Sequence, residues 1–211
     1  MQFRISKTSA NDIFHYWLKI LREILPASLL EQVKKQVSDY EMVQELLTEF
    51  ELLVDSTEKD LGAIKSKKSF LKGKQKKHTF KNQFIILPKA QDIVDVIAGK
   101  PGPASDINLL REQQKKFAAW QQFKGDKGYI GEDNVTTPHK KPKHRELSEI
   151  QKQENKLFSS SRIIIEHLIR LVKIFQVAAQ RFRLRPQTYK QVILTVCGLV
   201  RLRIGALILP A

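Results

Sequence analysis

The spacing of the apolar residues changes twice along the chain, and this change limits the folds that are open to it. Residues 7–25 carry an apolar side chain every three or four positions, as on one face of an α-helix, between an N-cap at Ser6 and a stop at Pro26. The middle of the chain has short apolar runs of strand length, and helical spacing returns over residues 161–182 and 187–207. Helices, then strands mixed with helices, then helices predict an α/β domain with helical flanks.

Shorter signals locate individual elements in the first half of the chain. Residues 38–41 (Ser-Asp-Tyr-Glu) have the spacing of a capping box and predict a helix start. The apolar run 50–54 predicts a buried strand whose end presents the carboxylate of Asp55. Residues 78–87 and 92–98 predict a pair of strands around a turn.

The next signals belong to the region between these strands and the final helices. Ser105 or Asp106 can cap a helix, and the apolar residues assigned to that helix are Leu109, Leu110, Phe117 and Trp120. Residues 123–131 have a glycine at every third position from Gly125 and predict a strand or a turn. Residues 65–77 predict a lysine-rich connection with no core of its own.

Composition narrows the class of partner. The 211 residues suit one compact domain, and Lys plus Arg exceed Asp plus Glu by 37 to 22, which predicts a polyanionic partner, nucleic acid first and anionic membrane second. The single cysteine, Cys197, excludes an intramolecular disulfide and a cysteine zinc site, and favours the cytoplasm. Arg201 and Arg203 interrupt the apolar stretch 192–209 and argue against a membrane span.

The positive charge is concentrated in two regions. Residues 59–89 contain ten lysines and one acid, Asp60, and a solvated surface is the plainer explanation of such a run. Residues 160–211 contain nine Arg or Lys residues and one acid, Glu166. Since this glutamate stands among apolar residues, a solvated surface does not explain it.

Three acids are candidates for chemistry: Asp55, Asp126 and Glu166. Carboxylates that converge from different elements can hold two Mg²⁺ or Mn²⁺ ions for phosphoryl transfer, because these hard cations prefer oxygen ligands. Each acid also has a plainer interpretation. Asp55 and Asp126 can cap turns, and Glu166 can pair with Arg162 and Arg170, each one helical turn away. Spacing alone leaves both interpretations open.

A set of motifs, in a fixed order, carries a resemblance to a known family. Arg162-x3-Glu166-x6-Lys173 resembles the C-terminal signature of DDE transposases from bacterial insertion sequences. The text around it and residues 181–204 are similar to the Harbinger-like, DDE superfamily endonuclease branch. Upstream, four further segments resemble that branch: 53–58, 74–81, 101–108 and 125–131. The resemblance runs from about residue 51 to the C-terminus.

The resemblance implies a fold and a set of site residues. The fold is an RNase-H-like mixed five-stranded sheet flanked by helices, with an N-terminal helical remnant. Asp55, Asp126 and Glu166 would be the catalytic, metal-binding acids of a two-metal Mg²⁺ or Mn²⁺ site. Asp106 matches a further aspartate of the family, and we expect it to be a helix cap rather than a ligand. The residues expected to bind DNA are Arg162, Arg170, Lys173, Lys74, Lys76 and Lys77.

The resemblance also implies a division of the chain. Residues 3–14 resemble the last helix of the family's helix-turn-helix module, without the helices that precede it. We therefore expect residues 1–48 to be a helical remnant of that module with connecting helices, and residues 49–211 to be the DDE endonuclease catalytic domain. Because a lone recognition helix lacks the partners that hold it in the major groove, we expect a truncated or split transposase.

Three functions follow as hypotheses. The first is a DNA transposase or endonuclease that hydrolyses phosphodiesters and transfers strands, acting on double-stranded DNA at transposon ends and targets in the nucleoid-associated cytoplasm. It needs no membrane and no small-molecule substrate, and assembly into a homo-oligomer is left open. The second is a catalytically inactive remnant that binds DNA. The third is a basic protein that binds RNA or anionic membrane and whose acids are structural.

Overall fold

The structure is a computed structural model that describes residues 4–34, 36–60, 71–72, 77–88 and 92–205. Its strands are β1 (Leu52–Asp60), β2 (Leu71–Lys72), β3 (Lys77–Ile86), β4 (Ile93–Pro101), β5 (Phe123–Lys124) and β6 (Val135–Thr136). Its α-helices are α1 (Lys7–Ile24), α2 (Leu29–Val33), α3 (Val37–Leu47), α4 (Asp106–Gln114), α5 (Glu149–Ile174), α6 (Gln176–Ala179) and α7 (Tyr189–Ile204). Two short 3₁₀ helices cover Lys127–Tyr129 and Pro186–Thr188.

The sheet is mixed, and β1 lies at its centre. β1 pairs antiparallel with β3, which pairs antiparallel with β4. On its other side β1 pairs parallel with β5, and β5 pairs parallel with β6. The order β4-β3-β1-β5-β6 gives five strands, and β2 pairs with the start of β3. The predicted α/β class with a mixed five-stranded sheet flanked by helices is therefore confirmed, and the arrangement is consistent with an RNase-H-like fold.

Successive residues of β1 point to opposite faces of the sheet, as the pleat requires. Leu53 packs in a core shared with Ile165 of α5 and Val200 of α7. Its neighbours Leu52 and Val54 pack in a second core, which includes residues of α2, α3 and α4. Two helical layers thus cover the two faces of one sheet.

The N-terminal helices share the core of the sheet. Leu18 of α1 is buried in the same cluster as α7. Arg201 of α7 is fully buried; its Nε and Nη2 donate to the two carboxylate oxygens of Asp92 at 2.6 and 2.7 Å, and its Nη1 donates to the carbonyl of Ala27. A bidentate pair of this kind fixes geometry as well as charge. The division at residues 48 and 49 stays a prediction.

The helix starts were predicted with mixed success. Ser6 and Ser105 cap α1 and α4 as predicted, each accepting a backbone N–H three residues on. The predicted capping box at residues 38–41 is wrong: α3 begins at Val37, so Ser38 already lies in its first turn and bonds to Asp39. The chain re-enters a helix so soon after α2 that no separate cap is needed.

Three other boundaries also differ from the prediction. β1 does not end before Asp55 but continues to Asp60, because β3 pairs with its polar half as well. α4 ends at Gln114, so Phe117 and Trp120 follow it rather than belong to it. α5 begins at Glu149 rather than at residue 161, since a capping box formed by Ser148 and Gln151 starts it earlier. Most of the predicted connection 65–77 lies outside the described residues.

Candidate active site

Asp55 lies in the middle of the central strand and faces α5. Its side chain is 17% exposed, and Arg162 of α5 donates from Nη2 to its Oδ2 at 2.9 Å. Its Oδ1 accepts the backbone N–H of Ser56 at 2.8 Å. The interpretation of Asp55 as a turn cap is wrong, because the strand continues past it. The sheet thus presents a mostly buried carboxylate to a helix that meets it with a cation.

Asp126 comes directly after β5, the strand parallel to β1. Its carboxylate accepts the backbone N–H of Gly128 at 2.8 Å and caps the short 3₁₀ helix, so the turn-capping interpretation is confirmed as geometry. Capping does not consume the carboxylate, since each oxygen has two lone pairs. Asp126 lies close enough to Asp55 that its charge raises the pKa of Asp55. The structure therefore brings the first two predicted acids together.

Gly125 allows this close approach. An added Cβ there would lie 2.6 Å from the ring of Tyr129 and 3.0 Å from the side chain of Val54. Only a glycine lets the backbone between β5 and Asp126 pass so near to the core. The glycine spacing of residues 125–131 is thus partly explained by the position of the second acid.

Asp106 joins the same region from α4, although we expected it to cap that helix. Ser105 is the cap, and the carboxylate of Asp106 instead accepts a hydrogen bond from the hydroxyl of Ser56 and an ion pair from Lys81 at 3.0 Å. An added Cβ on Gly128 would lie 2.9 Å from Oδ1 of Asp126 and 3.2 Å from Oδ2 of Asp106. The two carboxylates therefore flank one glycine.

Lys81 holds Asp106 in this position. Its side chain is 8% exposed, and its ammonium donates to the carbonyl of Ala104 at 2.7 Å and lies 3.8 Å from Glu58. Ser56 and Lys81 were missed from the sequence. The period-two pattern of β1 places Ser56 opposite Asp55, but the register that brings Lys81 beside Glu58 has no signal in the sequence.

Glu166 is placed differently from the two aspartates. It lies on α5, one helical turn after Arg162, and its side chain is exposed. It forms no ion pair with any described residue, so the predicted pairing with Arg162 and Arg170 is not found there. In the ranges that the structure describes, no three His, Cys, Asp or Glu side chains lie close enough together to hold a metal ion.

The electrostatics of the site suit a cation. Burial raises the pKa of Asp55, and the charge of Asp126 adds to this, while Arg162 and the Ser56 N–H work in the opposite direction. Burial and the charges of Asp106, Asp55 and Asp126 raise the pKa of the Tyr129 phenol. Since carboxylate oxygens are ligands that Mg²⁺ accepts, the Asp55 and Asp126 pair fits such an ion.

The predicted DNA-binding residues are only partly described. Arg170 and Lys173 are exposed on α5, whereas Arg162 is largely buried against Asp55. The Nε of Arg162 is buried and has no hydrogen-bond partner in the described part of the chain. Lys77 begins β3, and the other two predicted lysines, Lys74 and Lys76, lie outside the described residues. None of the described helices has the length and hydropathy of a membrane span.

Comparison with known proteins gives two matches. The family model for DDE superfamily endonuclease matches residues 54–201, more than half of the chain. A probable transposase for insertion sequence element IS702, from Microchaete diplosiphon, is 35% identical over 129 residues, which are 59% of this chain and 46% of the relative. The match thus spans about half the length of that relative, and no solved structure matches the chain significantly. With the matched region running from the central strand to the last helix, the chain belongs to the DDE superfamily endonuclease family.

Proposed function

We propose that the chain is a DNA transposase or endonuclease in which Asp55, Asp126 and Glu166 are the catalytic acids and bind Mg²⁺ or Mn²⁺. The observation that carries the proposal is the convergence of Asp55 and Asp126 at neighbouring parallel strands, inside the region that matches the family. Ends of parallel strands are where α/β folds commonly gather the groups that act on a ligand.

Each acid has its own means of support. Asp55 is fixed by the central strand and by Arg162, and Asp126 is fixed by the turn that it caps. Glu166 follows Arg162 by one turn, about 6 Å along the helix axis, and its exposed side chain is free to turn toward the aspartates. A pair of divalent ions, when bound, would supply charge neutralisation at the attacking and leaving oxygens of a phosphodiester.

Arg162 would have two tasks in this site. It neutralises part of the charge of Asp55 in the structure described, and its unpartnered Nε–H is a donor that a phosphate oxygen or a third carboxylate can accept. The same guanidinium can therefore balance the acids without substrate and contact DNA with it. This supports the role in DNA binding expected for Arg162.

The charge of the chain supports double-stranded DNA as the substrate. Arg170 and Lys173 are exposed on the helix that carries Glu166, and Lys74, Lys76 and Lys77 belong to the lysine-rich stretch of residues 59–89. Neutralising phosphates releases counterions, so binding is expected to weaken steeply with salt. DNA as substrate places the proposed activity at the nucleoid, and copies of the chain at the two ends of an element would act together.

DNA binding without catalysis is the second candidate, and one observation favours it. Arg162 occupies Asp55, and Glu166 contacts neither aspartate in the structure described. A site that needs a cation to draw in its third acid is compatible with activity. A site that never assembles leaves only the basic surface.

The test is calorimetric titration of Mn²⁺ into the protein with a short duplex present. The wild type is compared with Asp126→Ala/Glu166→Ala and with Asp12→Ala/Glu45→Ala, which removes two exposed acids from α1 and α3. We expect binding by the wild type and the control, and none by the site variant. Equal heats in all three proteins, or none in any, would overturn the active-enzyme proposal.

A further inference from the structure

A second cationic site lies on β1, toward the strand end away from its apolar half. Lys59 is the last residue but one of β1, and it falls on the same face as Leu53 and Asp55. It pairs across the ladder with Phe80 of β3, which belongs to the core that α5 and α7 cover. Only 5% of Lys59 is exposed, so its aliphatic stem is enclosed.

The ammonium of Lys59 lacks a partner. It forms no ion pair and no hydrogen bond with any residue that the structure describes. Lysines are almost never this buried unless they are paired, because an enclosed charge loses its hydration. Such a group is explained if an anion from outside the chain completes its environment.

A second cation lies beside it rather than an acid. Lys173 of α5 is exposed and close enough that its charge, after burial, helps to lower the pKa of Lys59. Asp60, the next residue of β1, has the opposite effect, but it does not come within ion-pair distance of Lys59. The structure thus holds two ammonium groups together, and one of them is enclosed.

The segment after α6 adds further positive charge at this place. The backbone N–H of Phe182 donates to the carbonyl of Asp60 at 3.1 Å, which fastens this segment to the end of β1. The residues on either side, Arg181 and Arg183, are exposed. Residues 167–211 contain no acid at all, so this end of the strand faces a surface with no carboxylate from the C-terminal helices.

We propose that Lys59 and Lys173 bind a backbone phosphate of a DNA strand that passes through the active site. This inference rests on the proposed function, because it assigns a second contact to the same substrate. The enclosed Lys59 is the part that a solvated basic surface does not explain. Arg181 and Arg183 would contact the neighbouring phosphates.

The spacing of the two sites defines which phosphate is meant. Lys59 follows Asp55 by four residues of an extended strand, about 13 Å. Lys173 follows Arg162 by eleven residues of a helix, about 16 Å. Since DNA rises about 3.4 Å per step, these separations correspond to four or five nucleotides. The phosphate at Lys59 is therefore four or five nucleotides from the one at Asp55.

The test is Lys59→Met, which keeps an unbranched apolar stem and removes the charge. Binding of a short non-specific duplex is measured by fluorescence anisotropy over a series of salt concentrations, together with thermal melting. We expect an unchanged or higher melting temperature and a salt slope that is smaller by about 0.9, the value for one phosphate contact. The control is Lys115→Met, an exposed lysine at the end of α4 on the other face of the sheet, which should keep the wild-type slope.

A second probe separates a DNA phosphate from a free one. Inorganic phosphate at constant ionic strength should raise the melting temperature of the wild type more than that of Lys59→Met. A difference here with no change of salt slope would assign the site to free phosphate and overturn the DNA contact. Equal stabilisation of both proteins would overturn the anion site itself.

The remaining outcomes separate the two proposals. A lower melting temperature with a wild-type slope would mean that Lys59 serves packing, and would overturn this inference alone. A wild type whose binding does not depend on salt would overturn the proposed function as well. If Lys59→Met does not fold, Lys173→Met tests the site from its exposed side, and a full wild-type slope there would overturn the inference.

Discussion

Arg162 of α5 donates from Nη2 to Oδ2 of Asp55 on β1 at 2.9 Å, while the Nε of the same guanidinium is buried without a partner among the described residues. Both side chains are largely buried, at 16% and 17% exposure. The helix and the central strand are therefore joined by an ion pair at the candidate active site. One donor of the arginine remains available.

This pair balances a site that would otherwise repel itself. Burial and the charge of Asp126 raise the pKa of Asp55, and Arg162 is the largest opposing influence. An arginine in this place does part of the work of a divalent cation while no cation is bound. Metal binding and the arginine contact are therefore expected to compete for the same oxygens.

Removing the arginine should expose this balance. Arg162→Met leaves Asp55 without its counter-charge, and we expect the free energy of unfolding at pH 7 to fall by about 1–3 kcal/mol. The loss should be smaller at pH 5, because the carboxyl of Asp55 can then take up a proton in the folded state. Urea denaturation at the two pH values measures both effects.

The control for this change is Arg170→Met, an exposed arginine eight residues further along α5. It should alter stability by less than about 0.5 kcal/mol at either pH. Equal losses from the two variants would show that the Asp55 pair contributes nothing specific.

Neutralising Asp55 should stabilise the protein when no metal is present. A pKa raised in the folded state means that folding favours the protonated acid, so stability falls as pH rises from the ordinary value of 3.8 through the folded value. Asp55→Asn mimics the protonated form and should melt higher at pH 7, by about 2–4 °C for each kcal/mol relieved. The difference from wild type should shrink as the pH approaches 3.8.

Mn²⁺ gives the second half of this comparison. The ion should raise the melting temperature of the wild type and leave that of Asp55→Asn unchanged, since the variant lacks a charged ligand. A variant that melts lower than wild type at pH 7 without metal would show that the pair with Arg162 outweighs burial.

The sequence predicted the sheet well where its strands are long and apolar. The runs 78–87 and 92–98 correspond to β3 and β4, and their antiparallel pairing follows from the short turn between them. β5 and β6 contain two residues each, which is too few for any pattern to identify. The polar half of β1, from Ser56 to Asp60, has no apolar alternation, so its strand character depends on pairing with β3.

The helices show the same contrast. The first part of α5 carries exposed apolar residues such as Ile150 and Leu157 rather than a buried stripe, so apolar spacing alone did not reveal it. Its capping box at Ser148 and Gln151 was a readable signal. A correct start for α5 would have required giving the cap more weight than the hydrophobic period.

The site was predictable only in part. Asp55 and Asp126 are 71 positions apart in the chain, and only the parallel pairing of β1 with β5 brings them together. Family resemblance supplied that pairing, whereas spacing did not. Asp106 and Lys81 meet through the register of β1 on β3, which the sequence does not specify.

Adding a methyl group at Gly125 should disturb the second acid. The new Cβ would lie 2.6 Å from the ring of Tyr129, so we expect Gly125→Ala to cost about 1–3 kcal/mol of stability through overpacking. The displaced turn should also weaken Mn²⁺ binding by moving Asp126. A double-mutant cycle with Tyr129→Leu checks the cause, because the smaller side chain should recover part of the loss. An additive cycle would show that the ring is not the obstacle.

Replacing Lys81 should destabilise the junction between β3 and α4. Lys81→Met leaves the carboxylate of Asp106 with the hydroxyl of Ser56 but without its counter-charge, and we expect a loss of about 3 kcal/mol in the free energy of unfolding. Adding Asp106→Asn should recover much of this loss, since the uncompensated charge is then gone. Lys100→Met, whose pair with Glu112 is more exposed, should cost less than about 1 kcal/mol. Chemical denaturation of the four proteins decides the matter: if Lys81→Met costs no more than Lys100→Met, Lys81 does not hold Asp106 at the site.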